Sequence, residues 1–87
     1  MKPKTKEPPA QPRLPTHAAM ARLTTREREV LALIGLAHTD REIARLLHRS
    51  VITVHTHVKR INRKIGTVNR AHMAITATAY GLAFPPN

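Results

Sequence analysis

Four stretches of the chain place apolar residues at helical intervals. In the first, Val30, Leu33, Ile34 and Ala37 stand at i, i+3, i+4 and i+7 and line one helix face. Thr24 and Glu27 precede them as a capping box, in which the Thr oxygen accepts from the N3 amide and the Glu reaches back to the cap. Gly35 interrupts the run. It costs a helix interior about 1 kcal/mol relative to Ala, so it either weakens this helix or marks where it begins to end. In the second stretch, Thr39 and Glu42 repeat the capping box in "TDRE". Ile43, Leu46 and Leu47 follow as about two turns of helix, with Ala44 small enough for another helix to approach. Ser50 is a good N-cap for the third stretch. There Val51, Val54, Val58, Ile61 and Ile65 form one continuous stripe. Val, Ile and Thr also suit strands. Strict alternation, however, would put His57 and Lys59 on one face with Val51 and Ile61. The prediction is a helix over 51–65, about 22 Å long, stopped by Gly66 as its left-handed end. Asn69 caps the fourth stretch. Met73, Ala77 and Tyr80 lie on one face of it, Ala71, Ala74, Ile75 and Thr78 on the neighbouring face, and Gly81 ends it. There is no repeat, no hairpin signal and no alternating run. The pattern predicts an all-α fold: one domain of four short helices over residues 23–84.

Residues 1–22 hold Pro3, Pro8, Pro9, Pro12 and Pro15, each lacking a backbone donor and fixed in φ. The segment is also basic and poor in large apolar residues. It is expected to be a disordered, Pro-rich basic arm, a linker in character. Residues 85–87 form a short tail.

Composition narrows the function. The 87 residues suffice for one small domain. Without cysteine, neither disulfides nor thiolate-bound zinc can staple it. Tyr80 and Phe84 are the only aromatics, which argues against a stacking surface for single strands. Fifteen Lys and Arg face five Asp and Glu, a net +10 that favours polyanionic partners. The arm holds five basic residues and one acidic, so residues 23–87, with the other ten against four, are themselves basic by +6. No apolar run approaches the roughly 20 residues that span a bilayer, and the N-terminus lacks a signal-peptide core. A cytoplasmic, nucleoid-associated protein without membrane contact is expected.

On a helical wheel of residues 51–65, Thr56 and Arg63 stand opposite the apolar stripe. Ile52, Thr53, Lys59, Arg60 and Lys64 lie beside them, with His55 and Asn62 on one flank and His57 on the other. The outer face is therefore long, narrow and cationic, and the helix N-terminus adds partial positive charge. The short second helix leads into it through a tight turn. Together they make a helix-turn-helix, whose second helix suits a major groove about 12 Å wide. His55 and His57, two residues apart, point to different sides of a helix, and no cysteine or nearby carboxylate completes a metal site. No metal or cofactor is expected. Ser50 is the only serine, and there is neither a Gly-rich phosphate loop nor a nucleophile–base arrangement. No catalytic residues are assigned.

Several blocks carry a family resemblance. "LTTREREVLALIG" resembles the opening of the LuxR/GerE (NarL-like) helix-turn-helix family, with its pattern L-T-x-R-E-x-E-V-L. "DREIARLL" resembles N-K-E-I-A-x-x-L. "SVITVHTHVKRINRKIGTVNR" resembles S-x-x-T-V-K-x-H-x-x-N-I-x-x-K-L-G-V-x-N-R. The match runs without gaps from Leu23 to about Leu82. It implies a four-helix DNA-binding domain whose third helix enters the major groove and whose fourth helps form a dimer. By this resemblance Thr53 and His57 contact phosphate, and His55 stands where a DNA-contacting lysine is usual. Thr56 and Lys59 take the base-reading positions. Arg60 replaces a common asparagine, and Arg63 and Lys64 match late basic positions. Val54 matches a valine at the groove-entry turn, but the wheel sets it against the core. Met73 and Tyr80 suit the core as readily as a partner contact; the resemblance, through its use of the fourth helix, makes Met73, Ala77 and Tyr80 the candidate dimer interface. The departures are specific. Ala37 replaces the family's glycine after the first helix, which leaves the course of that loop open. Arg49 replaces an apolar plug before the third helix, with Val51 placed to compensate. The 22 residues before Leu23 are too few for the family's sensing domain, so a stand-alone regulator is expected.

The expected function is sequence-specific binding of duplex DNA by a transcriptional regulator, as a homodimer. Two alternatives remain at this point. One is a protein-interaction module resembling, more distantly, the promoter-reading σ-factor region and acting through RNA polymerase or another regulator. The other is RNA binding by charge alone.

Overall fold

The computed structural model describes residues 13–83. They form α1 (His17–Met20), α2 (Thr25–Gly35), α3 (Asp40–Leu47), α4 (Val51–Ile65) and α5 (Arg70–Ala79), with no strand among the described residues. α2 to α5 are the four helices expected. α1 is an additional single turn.

Each helix starts where a side chain replaces a missing backbone partner. Thr24 and Thr39 make complete capping boxes with Glu27 and Glu42. Ser50 accepts from the Thr53 amide, and Asn69 from the His72 amide. The helix ends share a device as well. Ala37, His48, Gly66 and Gly81 all have positive φ, at 70°, 56°, 75° and 72°. After α2, His38 N–H reaches Leu33 C=O and Ala37 N–H reaches Ile34 C=O, a Schellman closure. Ala37 thus takes the left-handed position at which the resemblance places a glycine, and the helix closes there without one.

The core takes in most of the predicted stripes, with two differences: Leu31, outside the predicted stripe, is fully buried, whereas Ala37 and Leu46, inside the predicted stripes, are exposed. Val30, Leu31 and Ile34 of α2 meet Ile43 of α3, Val54 and Ile61 of α4, and Met73 and Ala77 of α5, all buried. α2 packs chiefly on α5 and α3 on α4, with α2 also touching α4. Arg49 is exposed, whereas Val51, two positions on, packs partly buried against the core.

Two expectations are corrected. The disordered arm over 1–22 does not extend through residues 13–22. Thr16 caps α1, Met20 and Leu23 join the core, and Pro15 is buried. Tyr80 Oη–H donates to Pro15 C=O, and His72 Nε2 lies 2.9 Å from Arg13 C=O. Proline forbids a helix interior, but Pro15 stands just ahead of the cap, where no helical amide is needed. Residues 1–12 of the expected arm and the 85–87 tail lie outside the described residues. The second correction concerns Met73 and Ala77, which are 1% and 0% exposed against α2 and so offer nothing to a second copy. Tyr80 is half-buried against the N-terminal segment, its ring edge-on to His17. The stripe read as an interface is the core face of α5. Its exposed large apolar residue is Ile75, and Val68 of the preceding turn is exposed as well.

Candidate nucleic-acid interface

α4 presents the side opposite its core stripe to solvent. Ile52, Thr56, Lys59, Arg60 and Arg63 are exposed along it, while Val54, Ile61 and Ile65 are buried behind them. The stripe forces this arrangement, because a helix that buries residues 54, 61 and 65 must turn residues 52, 56, 59 and 63 outward.

The acidic groups decide the electrostatics. Four carboxylates lie among the described residues, and each is engaged elsewhere. Glu27 pairs with Lys64 at 2.8 Å and Glu29 with Arg26 at 3.2 Å. Glu42 meets His38 at 3.3 Å. Asp40 takes Arg70 at 2.7 Å and His55 Nε2 at 2.9 Å. Among the described residues, Lys59, Arg60 and Arg63 therefore have no acidic partner. Unneutralised cations along one exposed helix are suited to phosphate oxygens.

The eight residues expected to touch DNA do not behave as one set. Lys59, Arg60 and Arg63 stand free on the outer face. Thr53 lies at its N-terminal edge, half-buried. Its oxygen accepts from Ser50 Oγ at 3.0 Å, which leaves its own hydroxyl proton to donate outward. His57 is half-buried at the edge of the strip. Its Nδ1 is buried with no partner among the described residues. Thr56 is exposed, but its hydroxyl donates back to Ile52 C=O at 3.1 Å.

Two of the eight are bound to carboxylates of the domain itself. Lys64 Nζ bonds Glu27 Oε1 and, at 3.3 Å, Arg22 C=O, tying the end of α4 to α2 and to the turn after α1. Burial raises the Glu27 pKa; the Lys64 hydrogen bond, the Thr24 bonds and the Lys64 charge outweigh it and hold the carboxyl below its ordinary 4.5. His55 is half-exposed and braced by Asp40 at the start of α3. Asp40 also holds Arg70, whose guanidinium reaches His38 C=O at 2.8 Å, so one carboxylate links α3, α4 and α5. The helical wheel gives no sign of either bond, since both partners are distant in sequence. Ile52 stands beside the cationic residues on the same face and carried no role in the sequence reading. Among the described residues no cluster of three His, Cys, Asp or Glu is placed to hold a metal ion, and no helix is long and apolar enough to cross a membrane.

The chain is similar in sequence to known regulatory proteins. The family described as bacterial regulatory proteins, luxR family, matches residues 21–77. The transcriptional activator protein SolR of Ralstonia solanacearum is 42% identical over 60 residues, which are 69% of this chain and 25% of SolR. The transcriptional repressor ThaA of Burkholderia thailandensis is 33% identical over 63 residues, 72% of this chain and 26% of ThaA. The response regulator protein VraR of Staphylococcus aureus is 38% identical over 60 residues, 69% of this chain and 29% of VraR. The chain thus spans between a quarter and a third of the length of these relatives.

Proposed function

The chain belongs to the luxR family of bacterial regulatory proteins and carries its DNA-binding transcriptional regulator domain, and from that premise we propose that α4 lies in the major groove and reads sequence there. The observation that carries the reading is the strip of Lys59, Arg60 and Arg63 without acidic partners on a helix whose opposite side is core. Arg60, Arg63, Thr53 and His57 hold the phosphates and set register. Lys59 and Thr56 face the base edges. Lys64 and His55 serve the domain itself, through Glu27 and Asp40.

Titration of fluorescent duplexes across a salt series tests this. Affinity should fall steeply with salt. Arg63→Ala should weaken binding to every duplex and lower the salt slope by about 1, while Lys59→Ala should relax preference at one base position, at a cost of about 1–3 kcal/mol. A motif altered by Arg63→Ala and untouched by Lys59→Ala would mean that the helix is oriented differently.

The protein acts as a homodimer on a two-part site, with Val68 and Ile75, 65% and 59% exposed, in place of the buried Met73 and Ala77. Ile75→Asp should then abolish cooperative filling of paired half-sites and spare binding to a single one. SolR is named an activator and ThaA a repressor, so a domain of this kind serves either sign of regulation.

A further inference from the structure

Ile52 is 77% exposed, more than any other large apolar residue among those described, and it stands on the face where every other outward group is polar or cationic. Its β-branched side chain adds nothing to helix initiation, and burial does not hold it there. Thr56, one turn on, changes character in the same place. Its hydroxyl proton is used on Ile52 C=O at 3.1 Å, so the oxygen lies back on the helix and the methyl is left as the free end of the side chain. Residues i and i+4 are neighbours on a helix surface. Ile52 and Thr56 therefore make a small apolar pad, with Lys59 and Arg63 continuing the same face.

We propose that this pad recognises the C5-methyl group of a thymine in the major groove, and that Ile52 is a specificity-determining residue. The inference rests on the placement of α4 in the groove given above. The thymine methyl is the one apolar group that unmodified base edges offer there. An exposed isoleucine on a phosphate-facing helix would otherwise be desolvated against polar edges, at a loss. The geometry also orders the motif. Ile52 and Lys59 are seven residues apart, roughly 10 Å along the axis. A thymine read by Ile52 should thus lie within about three base pairs of a guanine read by Lys59, since each pair rises about 3.4 Å.

The test uses the full chain and a duplex that the chain itself enriches from a random-sequence pool. Each thymine is replaced in turn by deoxyuridine, which deletes the methyl and keeps every hydrogen-bonding group. One thymine per half-site should lose about fourfold in affinity, the worth of one buried methyl at about 0.8 kcal/mol. Ile52→Ala should remove that loss, binding thymine and uracil forms alike, with its thermal unfolding unchanged. Ile52→Val should retain part of it. A cytosine at the same position should bind better when 5-methylated, which separates methyl recognition from recognition of the A·T pair. Equal affinity for all uracil-substituted duplexes, or an undiminished uracil penalty in Ile52→Ala, overturns the proposal while leaving DNA binding in place. A pool that yields no enriched duplex overturns the DNA reading itself.

Discussion

Lys64 and Arg63 are adjacent and chemically similar, yet the fold gives them different work. Arg63 is exposed on the outer strip, whereas Lys64 is anchored on Glu27, whose side chain is only 3% exposed. Lys64→Ala should leave DNA affinity nearly intact and cost the domain about 1–3 kcal/mol, because a desolvated carboxylate loses its partner. Denaturant unfolding alongside a duplex titration separates the two effects. The same pair sets an acid limb. The folded pKa of Glu27 lies below its unfolded value near 4.5. Its contribution to stability is therefore complete above that value and is lost as pH falls through the folded pKa. Melting temperature followed from neutral pH into the acid range should drop there, and Glu27→Gln should flatten that part of the curve. A curve of the same shape in Glu27→Gln would remove the pair from the acid response.

The helix ends and the α2–α5 seam make two glycine arguments of opposite sign. Ala37 holds φ at 70° without being glycine. A left-handed residue with a Cβ costs about 1–2 kcal/mol, partly offset by glycine's greater freedom when unfolded. Ala37→Gly should stabilise the domain by about 0.5–1 kcal/mol, read as a higher denaturant midpoint at unchanged slope. Gly35 is the reverse. It sits in ordinary helix, where alanine would normally gain about 1 kcal/mol. A Cβ there would fall 2.7 Å from Ala77 Cβ and nearer still to Ala83 Cβ. Gly35→Ala should therefore destabilise by about 1–3 kcal/mol through overpacking. A gain in stability would mean that α2 and α5 leave room for a methyl group between them.

Across the whole molecule, the N-terminal segment behaves as part of the domain from residue 13 onward. Residues 13–22 supply the buried Pro15 and Met20, and carbonyls that meet Tyr80 and His72. A chain beginning at residue 23 should melt at a lower temperature than the full chain. One beginning at residue 13 keeps every one of these contacts and should melt like the full chain. Calorimetry on the two truncations decides it. Because the excess charge is spread over the globular part as well as the segment before it, the residue-13 chain should still bind duplexes with strong salt dependence. Loss of that dependence would place the phosphate contacts before residue 13 rather than on α4.

Periodicity and caps are local, and what depends on them was legible in the chain. Helical spacing with Thr24, Thr39, Ser50 and Asn69 determined where α2 to α5 begin, and the stripe from Val51 to Ile65 determined which side of α4 is wet. The family blocks pointed to the same helix for DNA. Contacts between distant residues were not legible, because nothing in a helical repeat names a partner on another element. Only the packed structure turned Lys64 onto Glu27 and His55 onto Asp40, buried Met73 and Ala77 under α2, and drew Pro15 and Met20 into the core. It also decided that Thr56 bonds its own backbone, which leaves a methyl rather than a hydroxyl beside Ile52. A wheel gives the direction of a side chain. Whether its polar atom is already bound depends on which other groups the fold brings within about 3 Å.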